Sequence, residues 1–113
     1  MSCIYPSNAG FIETPSPTNA FLDTTAQFMC TVQGGLIQWR IDGIELSNIP
    51  PERKISSTTT GEKGIRTSSL SILASVRNNN SDVQCTISNG TTEVMRSPTV
   101  ELKVQGMPFN DIW

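Results

Sequence analysis

Five stretches of this chain alternate apolar and polar positions with period two, and that rhythm limits what it can fold into. Phe28, Cys30 and Val32 alternate with Gln27, Met29 and Thr31, and Ile37, Trp39 and Ile41 with Gln38, Arg40 and Asp42. Leu70 and Ile72 follow Ser69 and Ser71; Val83, Cys85 and Ile87 alternate with Asp82, Gln84, Thr86 and Ser88. Val100, Leu102 and Val104 complete the set with Thr99, Glu101 and Lys103. Each run presents one apolar face of a strand, and strands of this kind belong to antiparallel sheets packed in pairs. No segment keeps a 3.6-residue period over three turns. Beyond the 36% hydrophobic and 16% charged residues, Ser, Thr, Asn and Gly dominate, a poor composition for a helical bundle. At 113 residues the chain holds one core. The expected fold is all-β, a two-sheet sandwich.

Turn residues fall between the runs. Gly34-Gly35 separates the first two, and Asp42-Gly43 signals a hairpin leading to Ile44 and Leu46. Asn89-Gly90 reads as a tight type I′ turn before the last strand. Pro15 and Pro17 interrupt an extended N-terminal segment, as proline does at an edge or kink. Pro50-Pro51 and the stretch Gly61 to Gly64 mark irregular connections. The polar segment 51–66, with Ser56-Ser57-Thr58-Thr59-Thr60, reads as a long loop. The organisation is a lead-in over 1–10, one domain over 11–105 and an exit segment over 106–113. The N-terminus has no basic stretch followed by an apolar one, so the chain is expected to be a mature fragment of a longer protein.

Cys30, Trp39 and Cys85 each lie on the apolar face of their own run, so all three point into one core. Trp39 follows Cys30 by nine positions and Cys85 follows it by fifty-five. This constellation resembles the strand B, C and F positions of the immunoglobulin superfamily, and the resemblance covers about residues 11–105. It implies a Greek-key sandwich with a Cys30–Cys85 disulfide between the sheets and the Trp39 indole packed on it. Closing a loop of that size removes unfolded-chain entropy of roughly 4 kcal/mol. The alternative is a pair of buried, reduced thiols, as in cytosolic muscle-filament domains of the same type. Val83 and Asn79 stand where such domains usually carry a Tyr and often an Asp, and the last strand lacks a Gly-x-Gly bulge. These departures argue against an antigen-receptor variable domain, and the long stretch between Trp39 and Leu70 leaves space for C′ and D strands, so the resemblance is to the intermediate or a divergent variable type. A disulfide implies an oxidising compartment, which leaves Cys3 as a free thiol, an intermolecular link or half of a bridge to a residue elsewhere.

The absence of histidine removes the commonest general base and metal ligand, and no acidic residue falls in an apolar run where burial would raise its pKa. No Cys-x-x-Cys, phosphate-loop or calcium-loop pattern occurs, so neither catalysis, a metal nor a cofactor is expected. The eight basic residues are scattered and the net charge is −2, which argues against nucleic acid and a polybasic membrane contact. No apolar run approaches the length of a membrane span. Asn79-Asn80-Ser81 and Asn89-Gly90-Thr91 are N-glycosylation sequons, although a chain rich in Asn, Ser and Thr yields such triplets by chance. What remains is a module that binds a protein partner, another copy of itself included. The resemblance implies an ectodomain of a cell-surface or secreted protein in adhesion, self-recognition or receptor–ligand contact. The alternative is a structural spacer in an intracellular or matrix array. The candidate binding face is the outer side of the Trp39 and Cys85 strands: Gln38, Arg40, Asp42, Gln84, Thr86 and Ser88.

Overall fold

A computed structural model of the chain describes residues 10–106. In chain order the strands are β1 (Gly10–Glu13), β2 (Thr18–Phe21), β3 (Thr25–Gln33), β4 (Leu36–Ile41), β5 (Ile44–Glu45), β6 (Ile55–Glu62), β7 (Ile65–Leu73), β8 (Asp82–Ser88), β9 (Glu93–Arg96) and β10 (Val100–Gln105). The first sheet runs β1-β3-β7-β6; the second runs β2-β10-β8-β4-β5, with β9 also on β8. The five alternating runs lie in β3, β4, β7, β8 and β10, and their apolar faces meet between the sheets. Phe28, Val32, Ile41, Leu70, Ile72, Val83, Ile87 and Leu102 are all buried there. Cys3 lies outside the described residues.

The centre of the core is cross-linked in two chemistries. Cys30 on β3 and Cys85 on β8 form a disulfide between the sheets, with Cα atoms 6.5 Å apart. Trp39 sits beside Cys85 in the β4–β8 register, and its indole Nε1 donates to Ser68 Oγ at 2.9 Å. Ser68 in turn lies beside Cys30 in the β3–β7 register and accepts from Thr59 Oγ1 on β6 at 2.9 Å. A buried indole N–H and a buried hydroxyl thus satisfy each other, which removes the penalty each would otherwise carry.

Four local features depart from the sequence reading. First, 51–66, read as a long loop, supplies one of the strands for which the Trp39–Leu70 stretch left space. Residues 55–62 pair without interruption with β7, and Lys63-Gly64, at φ 59° and 80°, makes the two-residue turn, a geometry Gly accepts and Lys tolerates. Second, Asn89-Gly90 is not a type I′ turn, because only Gly90 has positive φ (108°). Asn89 Oδ1 instead accepts from the backbone N–H of Thr91 and Thr92, at 3.1 and 2.9 Å, closing a longer loop. Third, the last strand is split: β9 and β10 pair with different parts of β8, because Pro98 has no N–H to give to a ladder. Ser97 holds the break, its N–H bonding Cys85 O at 2.8 Å and its Oγ accepting from Cys85 N at 3.0 Å. Fourth, β2 pairs with β10 in parallel, so the second sheet is mixed. The chain crosses from one sheet to the other between β1 and β2, at the two prolines foreseen as a kink.

Where a tyrosine would pin the corner before β8, three asparagines do so. Asn78, fully buried, donates from Nδ2 to the carbonyls of Arg53 and Leu73 at 2.9 and 2.8 Å and accepts from Arg53 Nε at 2.6 Å. Asn79 Oδ1 accepts from Val104 N at 2.9 Å, and Asn80 N donates to Leu102 O at 2.8 Å.

Replacing Cys85 with Ser removes the cross-link and buries a hydroxyl, and is expected to cost roughly 2–5 kcal/mol. Urea denaturation of wild type and variant measures this; midpoints within experimental error of each other would show the bridge to be dispensable.

Candidate protein-binding face

β8 is the middle of the second sheet, flanked by β4 on one side and β9 and β10 on the other, so its outer side chains lie between those of its neighbours. The registers Arg40↔Gln84 and Ser88↔Glu93 place Arg40 and Glu93 on opposite sides of β8. The Arg40 guanidinium nevertheless lies 2.8 Å from Glu93 Oε1, so the ion pair spans the outer face of β8. Thr86 and Ser88 are buried, at 0% and 4% exposure. Their small side chains lie between β4 and β9, and Thr86 Oγ1 donates to Gln38 O at 3.3 Å. These two residues, expected at the surface, are therefore not available to a partner.

The remaining candidates differ in what holds them. Gln84 Nε2 donates to Ser97 O at 2.8 Å, which fixes the side chain over the split last strand. Asp42 sits in the β4–β5 turn at φ 57°, where its Oδ1 accepts from Asp82 N at 2.9 Å and its Oδ2 lies 3.9 Å from Arg53. Gln38 is exposed. Glu93 is the residue the sequence reading missed: its Oε2 accepts from Arg96 Nε at 2.7 Å, while Oε1 faces Arg40 as an ion pair without a directed hydrogen bond. Glu45 flanks the cluster, 4.0 Å from Arg40. No periodicity argument could pair Arg40 with Glu93, because the contact depends on the course of the last strand around Pro98.

The two sequons occupy different ground. Asn89 is exposed on the β8–β9 loop, whereas Asn79 is half-buried against β10 and Ser81 beside it is buried. A groove of about 290 Å³ opens where β5 ends, lined by Ile37, Gln38, Trp39, Leu46 and Ser57 among others. Among the described residues no group of three or more Cys, Asp or Glu is placed to hold a metal ion, and no helix is long and apolar enough to cross a membrane.

No family model matches the chain, and no curated protein matches it by sequence. Solved structures match its fold. One chain of a titin M10–obscurin-like 1 Ig complex aligns at TM-score 0.62 and 18% identity, over 88% of this chain and 96% of that one. The Ig1-2 module of the Drosophila receptor protein tyrosine phosphatase DLAR aligns at TM-score 0.62 and 17% identity, over 85% of this chain and 48% of that one. Rst D1-D2 aligns at TM-score 0.60 and 25% identity, over 86% and 49%. The chain thus spans about half of each two-domain neighbour, and the likeness is one of fold: this is an immunoglobulin-like domain.

Arg40→Glu would set a new carboxylate between Glu45 and Glu93, at a side chain only 24% exposed. The expected cost is about 1–2 kcal/mol, above the usual ~0.5 kcal/mol for a surface substitution. Thermal melts of Arg40→Glu, Glu93→Lys and the double variant check this, the double recovering part of the loss. Unchanged melting in both single variants would show the ion pair to be energetically idle.

Proposed function

We propose that this immunoglobulin-like domain is a non-catalytic protein-recognition module of a secreted or cell-surface protein. The observation that carries the reading is the Cys30–Cys85 bridge at the centre of the core, since structural disulfides persist in oxidising compartments and are rare in the cytosol. The likeness to a receptor phosphatase module is compatible with that setting. The likeness to titin domains favours the second reading, a spacer in an intracellular array, in which the same two cysteines would stay reduced.

On the first reading the partner is a protein, met on the outer face of β4 and β8 around Gln38, Arg40 and Gln84. That surface is polar and mixed in charge, which suits a modest, hydrated and reversible contact. Of the two sequons, Asn89 is the exposed one, which favours it over Asn79 as the carrier of a glycan. Intact mass before and after enzymatic removal of N-glycans would report it, and a shift that survives Asn89→Gln would assign the glycan elsewhere.

Alkylation of the natively expressed protein before and after reduction separates the two readings. The extracellular reading expects Cys30 and Cys85 to react only after reduction and unfolding; alkylation of Cys30 and Cys85, mapped by peptide mass, on unfolding without reductant would leave only the spacer. Saturable binding of fluorescent domain tetramers to cells tests recognition itself. Binding unaffected by Gln38→Arg and Gln84→Arg would move the site away from this face.

A further inference from the structure

The edges of the two sheets are not treated alike. β1 has four residues and a register shift between Phe11 and Glu13. β2 has four residues preceded by Pro15 and Pro17, β5 has two, and β9 has four with a shift at Ser88. Short, irregular and proline-flanked edges resist pairing with other chains. β6 is neither short nor irregular, and Pro50 and Pro51 stand apart from its start, across the turn Pro51–Arg53 and Lys54. It is eight residues long, pairs with β7 without a shift, contains no proline or basic residue, and is exposed from Ser56 to Glu62.

The backbone of β6 states which groups are free. Leu73 N donates to Lys54 O at 3.2 Å, and the pair flanking the two-residue turn, Glu62 and Ile65, is the hydrogen-bonded kind. The alternation between these ends turns the even-numbered residues toward β7. Ile55, Ser57, Thr59 and Gly61 therefore point their N–H and C=O groups away from the sheet, and among the described residues no backbone bond uses them.

We propose that a second copy of this chain pairs with β6 antiparallel along this edge, centred on Thr58. The register follows from two independent constraints. Antiparallel partners must share hydrogen-bonding parity, so residue numbers across the pair must sum to an even number. A sum of 116 sets Ile55 against Gly61 and Ser57 against Thr59, which uses all four free residues of each copy; sums of 114 or 118 leave one residue in each copy unpaired. The same register brings Lys54, the left-handed residue (φ 58°) just before β6, close to Glu62 of the other copy, an opposite-charge approach repeated just beyond each end of the ladder. A sum of 118 instead sets Glu62 against Ser56. In the register of 116 Lys63 falls opposite Arg53, whose guanidinium is turned inward onto Asn78 and Ser81. On the outer face Ser56 meets Thr60 and Thr58 meets Thr58, hydroxyl neighbours like Thr31 and Thr67, which lie 3.1 Å apart in the same sheet.

Sedimentation velocity across a concentration series tests this with the full chain in a Cys3→Ser background, which excludes a thiol-linked dimer. The expected result is a reversible monomer–dimer equilibrium. Ser57→Pro removes an outward N–H without touching the β7 ladder and should abolish dimerisation while leaving the melting curve intact. Lys54→Glu and Glu62→Lys should each weaken the dimer at least tenfold, and the double swap should restore it. A wild type that stays monomeric up to millimolar concentration overturns the proposal, as does a dimer that survives Ser57→Pro. A double swap no stronger than either single variant overturns the register.

Discussion

The gap between the sheets is closed twice at one place. The Cys30–Cys85 bond joins β3 to β8, and the Trp39–Ser68 hydrogen bond joins β4 to β7. Because Trp39 neighbours Cys85 and Ser68 neighbours Cys30, the four residues form a loop of alternating covalent, ladder and hydrogen-bonded links. Neither crossing can shift without straining the other. Ser97 attaches the last strand to the same point through both backbone groups of Cys85, so the break at Pro98 is anchored to the most rigid part of the molecule. The outer ion pair between Arg40 and Glu93 can span β8 only because β9 is held in place there.

The core was largely legible in the sequence, because it is written in a local period. Of the apolar positions read from the five runs, only Ile37 and Val100 are less than buried. What escaped was the polar content of the interior. Ser68 and Asn78 are fully buried, and their burial is tolerable only because Trp39, Thr59 and Arg53 meet them from distant parts of the chain. A pattern that equates polar with outward necessarily sends such residues to the wrong side. Thr86 and Ser88 failed for the opposite reason: they do face outward, but their neighbours on β4 and β9 cover them.

The stretch between Trp39 and Leu70 left space for a strand such as β6, but its position escaped for a third reason. Its sequence, Ile55 to Glu62, is nearly uniform in polarity because neither of its faces is deeply covered, so it carries no alternation to read. Its β-branched threonines favour extended backbone, yet a run of Ser and Thr bounded by prolines and glycines equally describes a loop. The pairing that decides the matter comes from β7, across a turn whose first residue is Lys rather than the Asn or Asp that would announce it.

The same uniformity connects the two surfaces. In a pairing that sets Thr58 against Thr58, the two-fold axis stands perpendicular to the sheet, because side chains of opposed residues share a face. Two copies joined this way form one continuous sheet from β1 to β1 and present their second sheets on the same side. The outer faces around Gln38, Arg40 and Gln84 would then point in one direction, two to a particle. A face whose charges are already paired internally, Arg40 with Glu93 and Glu93 with Arg96, would grip a partner weakly on its own. Doubling it on a rigid platform raises the effective concentration of the second contact, and affinity grows without any new interaction. An unprotected edge in one sheet and a self-neutralised face in the other are therefore compatible parts of one design, in which weak single contacts act in pairs.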